Sequence, residues 1–247
     1  MADGVLLRGG YRNRVERVDD TVRRTQGDRA EYVHEVLGYL EDRGWTGAPR
    51  YLGVDDAGRE ILSYIEGHVA WDTAAQPADV WAHASLAQGA ALLRELHDLT
   101  EGTPLADGGE VVCHNDLSPR NTVYDDRGEG LRPVAFIDWD LAAPGRRIDD
   151  LAHMCWQYTG LGQARISAIE AGGSLRVICD GYGLRDRTGV VDAVLQWQDR
   201  CWRGMRELAD AGDERMVELR DHGVIDDVHA AHAWVAEHRG VLQDALR

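Results

Sequence analysis

The chain has 247 residues and is 44% hydrophobic, enough for one large domain or two coupled lobes around a substantial core. A formal charge of −16 argues against nucleic acid and anionic membranes as partners and favours cationic ones. No apolar run approaches the roughly 20 residues that a membrane span needs. The N-terminus lacks the basic segment and apolar stretch of a signal peptide, so the expectation is a cytoplasmic protein.

Two features of composition bear on chemistry. All 27 basic residues are arginine, so any cation placed on a phosphate must be a guanidinium. Cys113, Cys155, Cys179 and Cys201 are widely spaced and form no C-x-x-C pair, which points to reduced core thiols instead of zinc or a disulfide framework.

In chain order, Gly9-Gly10 marks a turn between short segments, and Arg14 to Val18 and Thr21 to Arg24 alternate weakly around Asp19-Asp20, a hairpin signal. Asp28 to Arg43 reads as a helix, with Val33, Val36, Leu37 and Leu40 on one face and Gly44 as its stop. Strands are expected over Arg50 to Val54 and Glu60 to Ile65, with Glu66-Gly67 breaking the pattern. Beyond about residue 72 the chain turns helical. Ala84 to Leu99 carries a stripe of Leu86, Ala90, Leu93 and Leu96. Short strands follow at Glu110 to Val112, Thr122 to Tyr124 and Pro133 to Ile137, and helices predominate from Asp149 onward. The fold class predicted is α+β with two lobes: a small sheet-plus-helix lobe over 1–67 and a larger, mainly helical lobe over 68–247.

The chemistry concentrates in Cys113-His114-Asn115-Asp116-Leu117-Ser118-Pro119-Arg120-Asn121, which matches H-x-D-L-x-x-x-N, the catalytic-loop pattern of kinases. Seventeen positions beyond Asn121, the apolar segment Ala135-Phe136-Ile137 ends in Asp138. Phosphoryl transfer needs positioning and neutralisation of spread negative charge more than covalent help. Asp116 can accept the proton of an attacking hydroxyl. Asn121 offers a neutral oxygen and Asp138 a charged one to Mg²⁺, which prefers hard oxygen ligands.

These segments resemble the aminoglycoside phosphotransferase family, small-molecule relatives of the protein kinases, over nearly the whole chain. Phe136-Ile137-Asp138-Trp139-Asp140 is similar to the family's metal-binding strand end. Asp149-Asp150-Leu151-Ala152 resembles the D-L-A that follows it, and Leu62-Ser63-Tyr64-Ile65-Glu66-Gly67 resembles the hinge between lobes. The resemblance implies ATP or GTP with Mg²⁺ as cofactors, Asp116 as catalytic base, and Asn121 and Asp138 as metal ligands. It implies that the backbone at Ser63, Tyr64 and Ile65 meets the base and that Gly9 and Gly10 lie over the phosphates. Asp140 is expected to support or join the metal ligands, Asp150 and His114 to hold the loop.

The sequence departs from the pattern in three places. No lysine exists to bind phosphate, and Arg23 is its best match, with Arg24 as the alternative. Val33 stands where the helix glutamate that pairs with that lysine belongs, between Glu31 and Glu35. Asn115 replaces the arginine of H-R-D, which argues against control by loop phosphorylation.

The expected partner is a small-molecule hydroxyl acceptor, of aminoglycoside-like or other antibiotic type, and a cationic one suits the net charge. Asp180, Asp199, Glu207, Asp210, Asp213 and Glu214 are acidic candidates for binding it, and Trp156, Trp197 and Trp202 are stacking candidates. A monomer or dimer is expected. Two rivals stand beside this reading: a catalytically weak nucleotide-binding pseudokinase-type regulator, and a metal-dependent hydrolase built on His114, Asp116 and Asp138.

Overall fold

The computed structural model describes residues 5–7, 15–71, 75–126, 128–162 and 166–247. Gly9 and Gly10 lie outside the described residues. Five short strands, β1 (Val5–Leu6), β2 (Glu16–Val18), β3 (Thr21–Arg24), β4 (Tyr51–Val54) and β5 (Glu60–Ser63), form an antiparallel sheet in the order β1-β2-β3-β5-β4. The β2–β3 turn passes through Asp19 at φ 54°, a left-handed conformation that a short polar side chain tolerates. Helix α1 (Ala30–Asp42) buries Val33, Val36, Leu37 and Leu40, the stripe its spacing predicts.

β5 ends at Ser63, two residues earlier than the alternation suggests. Tyr64 to Gly67 then carries the chain to a second sheet, where β6 (His68–Val69) pairs with β8 (Thr122–Asp126) and β8 with β9 (Leu131–Phe136). Gly67 is required here. Its φ is 151°, and a Cβ would sit 2.6 Å from the Tyr124 carbonyl oxygen.

The rest is helical apart from the two-stranded pair β7 (Val111–Cys113) and β10 (Ala143–Gly145). Helices α2 (His83–Thr100), α3 (Arg147–Thr159), α4 (Ala168–Tyr182), α5 (Val190–Asp210), α6 (Glu214–Asp221), α7 (Val224–Glu237) and α8 (Arg239–Leu246) follow in order. Leu86, Ala90, Leu93 and Leu96 of α2 are buried in one core with α1, α3, α4 and α5. Each such leucine contributes about 2–5 kcal/mol against truncation to alanine. Gly181 of α4 lets the two helices approach, because a Cβ there would lie 2.5 Å from the Ala87 carbonyl oxygen. α4 starts on a reciprocal cap between Ser167 and Glu170, and Asp213 caps α6 by accepting from the Met216 N–H. Among the described residues no helix is long and apolar enough to cross a membrane.

Candidate active site

Strand β7 is fully buried and delivers the catalytic loop into the interior. His114 is fixed in one tautomer by its surroundings. Its Nε2–H donates to the Ile137 carbonyl at 3.1 Å, while Nδ1 accepts from the Asp116 N–H at 3.3 Å. Burial first of all holds its pKa below the ordinary value, against the opposing charges of Asp150 and Asp138, so the ring is a neutral spacer between the loop and the end of β9.

Asp150 of α3 fastens the other side. Its two oxygens accept the backbone N–H groups of His114 at 2.6 Å and Asn115 at 2.8 Å, and His97 adds a contact at 3.3 Å. Desolvation opposes its charge, yet these donors keep its pKa below the usual carboxylate range. Asn115 sits at φ 62° and ties itself to the Leu141 carbonyl through Nδ2. This strained turn aims Asp116 away from the core.

Asn121 Nδ2 donates to Asp116 Oδ2 and to the Asp116 carbonyl, both at 2.8 Å. The amide hydrogens are thereby committed to Asp116, and the amide oxygen remains as a donor for a cation. Burial raises the Asp116 pKa to about 7, helped by the charge of Asp138 and opposed by Asn121, Arg215 and Arg120. A carboxylate poised near neutrality suits a general base.

The cationic end of the site is built by Arg24. Arg24 and Glu60 are directly opposite on β3 and β5, and Arg24 Nε lies 2.5 Å from Glu60 Oε1. Its other nitrogens reach Asp138 Oδ1 at 2.7 Å and Asp140 Oδ1 at 2.5 Å. The second oxygen of Glu60 contacts His34 Nε2 of α1 at 2.8 Å, and the His34 ring stacks on Tyr51 at 3.7 Å. Desolvation works against the Arg24 charge, and the three carboxylates more than offset it, so its pKa is raised.

The expected Arg23 match is not the residue placed in the cleft. Alternation along β3 turns Arg23 to the opposite face, with Nη1 3.7 Å from Asp55 Oδ2. Nor does α1 supply a glutamate, since Glu31 and Glu35 are exposed. Glu60 supplies the carboxylate instead, with His34 as the contribution of α1. The signal for Glu60 lay in its strand, where Glu60 and Leu62 share the buried face.

Three carboxylates thus share one guanidinium. The surplus negative charge, the free Asn121 oxygen and the second oxygen of Asp138 make a hard-oxygen donor set that fits Mg²⁺. Asp138 stands at φ 63° after β9, and the Ile137 N–H donates to the Asn121 carbonyl at 2.9 Å, so the segments that carry Asn121 and Asp138 are joined by backbone.

A cavity of about 370 Å³ opens from this cluster. Leu7, Val15 and Val22 of the N-terminal sheet region line it together with Val123 and Ile137 and with Ser63, Tyr64 and Ile65. The N–H groups of Ser63 and Tyr64 are engaged by the carbonyls of Arg50 at 2.9 Å and Asp20 at 2.8 Å, and of the three only the Ile65 N–H has no such backbone partner among the described residues. An apolar slot with a backbone edge fits a planar base.

The acidic acceptor-binding candidates are elsewhere. Asp180 pairs with Arg187, Asp199 with Arg203 and Asp210 with Arg220, and Asp213 is consumed as a helix cap. Neither these nor Glu207 and Glu214 line the cavity. Trp156 and Trp202 are buried, and Trp197 stacks on His153 at 5.0 Å. The tryptophan that does line the cavity, with Tyr64 and His68, is Trp71.

Solved structures share this architecture. The Plasmodium vivax ethanolamine kinase superposes with a TM-score of 0.69 at 13% identity, covering 97% of this chain and 83% of that one. An aminoglycoside phosphotransferase in complex with GDP and kanamycin gives 0.61 at 15% identity, covering 92% and 93%. A choline/ethanolamine kinase family protein from Mesorhizobium loti gives 0.58 at 17%, covering 98% and 93%. At these identities the likeness establishes the fold. In sequence, the chain is 30% identical to the trifolitoxin immunity protein of Rhizobium leguminosarum bv. trifolii across the full length of both. The profile of the phosphotransferase enzyme family matches residues 81–208, a span that contains Asp116, Asn121, Asp138 and Asp150. The chain therefore belongs to the phosphotransferase enzyme family.

Proposed function

We propose that this protein transfers the γ-phosphate of ATP or GTP to a hydroxyl of a small molecule, an antibiotic or other natural product, with Asp116 as the general base. The observation that carries the reading is the convergence of Asp116, Asn121, Asp138 and Arg24 at one end of an apolar slot. The acceptor hydroxyl gives its proton to Asp116 as its oxygen bonds to the γ-phosphorus. The bond from that phosphorus to the bridging oxygen breaks, and the nucleoside diphosphate leaves. Bound Mg²⁺ on Asn121 and Asp138 supplies neutralisation of phosphate charge.

Each residue has a separable task in this reading. Arg24 grips the phosphates from the sheet side, and Glu60 orients it. Ile65 holds the base edge. Residues 1–67 form the nucleotide lobe and 68–247 the catalytic and acceptor lobe. Nucleotide complexes of structural neighbours support the donor class, and a relative named for immunity to trifolitoxin supports a toxin or antibiotic as acceptor. Four unpaired cysteines are consistent with a reducing, cytoplasmic setting.

An acceptor panel with labelled ATP and Mg²⁺, spanning aminoglycosides, peptide antibiotics, nucleosides and choline, tests the reading. Label appearing on one acceptor supports it. Nucleotide binding with no transfer to any member favours the non-catalytic regulator, and phosphate release from simple esters without nucleotide favours a hydrolase.

A further inference from the structure

The chemical class of the acceptor follows from the charges that face Asp116. Four carboxylates or arginines of the chain beyond residue 67 line the cavity: Asp116, Asp138, Asp140 and Arg215. The three aspartates are already committed, one as base, one as metal ligand and partner of Arg24, and one as partner of Arg24. No carboxylate among the described lining residues is left to receive a cationic acceptor.

Arg215 is the uncommitted charge. It rises from α6, on the helical side of the cleft, whereas Arg24 approaches from the sheet. It makes no ion pair among the described residues, and its Nε is buried without a hydrogen-bond partner. A buried guanidinium N–H left unpaired costs about 1–3 kcal/mol, and the same guanidinium lines the cavity that holds Asp116. Its positive field reaches Asp116, where it opposes the rise in that carboxyl's pKa. The protein as a whole carries −16, so an acidic ligand meets favourable charge only at such a local cation.

We propose that Arg215 binds an anionic group of the acceptor, so that the substrate class is hydroxyl-bearing acids, free carboxylates above all, and not polycationic aminoglycosides. A guanidinium holds a carboxylate through two parallel hydrogen bonds, which fixes its orientation as well as its distance from Asp116. This rests on the transfer reading above and narrows it. The one other source of an oxyanion at this place is the γ-phosphoryl group of the donor.

Thermal unfolding with sulfate as the probe anion separates these sources without requiring turnover. Wild type, Arg215→Ala and Arg215→Lys are melted in sodium sulfate and in sodium chloride at matched ionic strength, with no nucleotide, with Mg-ADP and with a Mg-bound non-hydrolysable ATP analogue. The expected result is a sulfate-specific rise in Tm of about 2 °C or more in wild type under all three conditions. It is lost in Arg215→Ala and partly kept in Arg215→Lys. Equal sulfate responses in wild type and Arg215→Ala would overturn the proposal. So would a wild-type response that disappears when the ATP analogue fills the γ-phosphate position. Failure of either nucleotide to raise Tm would instead count against nucleotide binding, and the nucleotide-free comparison still reads Arg215. In the labelled-ATP panel, acidic acceptors are expected to exceed kanamycin and gentamicin at least tenfold in kcat/KM, and Arg215→Ala to raise the acceptor KM about tenfold with the ATP KM unchanged. A polycation as the best acceptor, or a rise confined to the ATP KM, would contradict the assignment.

Discussion

Arg24 and Glu60 face each other across β3 and β5, 2.5 Å apart, with side chains 8% and 2% exposed. A cross-strand pair thus stands where the kinase pattern has a strand-to-helix pair, and it has a rigidity consequence. Neighbouring strands hold their register through the ladder, so the position of Arg24 depends little on how α1 moves. His34 is the remaining link to that helix.

Breaking this pair has two readouts. Arg24→Ala leaves Glu60 buried beside His34 alone, and a broken buried pair costs about 3–5 kcal/mol, seen as a lower urea midpoint. Glu60→Gln keeps the shape and removes the charge. It is expected to raise the KM for ATP about tenfold with a smaller change in kcat, whereas a purely structural role would lower stability and leave KM alone. Arg24→Lys should retain part of the activity that Arg24→Ala loses.

Asp150 is expected to matter for both fold and turnover. Asp150→Ala leaves the N–H groups of His114 and Asn115 without their acceptor inside the core. Each costs about 1–3 kcal/mol, so a Tm lower by several degrees and a kcat reduced at least tenfold are expected together. Unchanged kcat in a folded variant would show that the loop is held by other contacts.

His153 gives stability a component that falls on mild acidification, opposite in sign to that of Asp116, whose raised pKa favours the folded state as pH falls through 7. His153 is buried against Trp197 and kept neutral chiefly by desolvation, with a pKa lowered to about 4. The unfolded chain takes up that proton near pH 6.5, so between 6.5 and 4 the unfolded state binds more protons and stability drops as pH falls. The loss from pH 7.5 to 5 amounts to about 2 kcal/mol for this residue. Relative to wild type, the denaturant midpoint of His153→Phe should rise on going from pH 7.5 to 5, and a difference between the two proteins that does not change with pH would assign this component to other groups.

Much of this architecture was legible because it rests on periodicity and punctuation. Val33, Val36, Leu37 and Leu40 declare α1, and Leu86 to Leu96 declare α2. The catalytic loop was legible because phosphoryl transfer fixes residue types at fixed spacing, and Asn121 and Asp138 are brought together by the backbone bond that follows from it. Strand pairing was less legible. The short β6 carries too little pattern to announce its pairing with β8, and Arg23 and Arg24 differ only in which face of β3 they occupy, a one-residue question of register. Arg215 was hidden for a different reason: its helix is short and polar, and only tertiary packing brings it beside Asp116.

The central claim is that Asp116 takes the proton of the attacking hydroxyl. Its most direct test is the rate of labelled phosphoryl transfer from ATP to a working acceptor by wild type and by Asp116→Ala, with folding of both checked by thermal melting. Loss of positioned general-base catalysis predicts a kcat lower by about 10²–10⁴ with ATP binding retained. Full turnover by the Asp116→Ala protein would contradict the account.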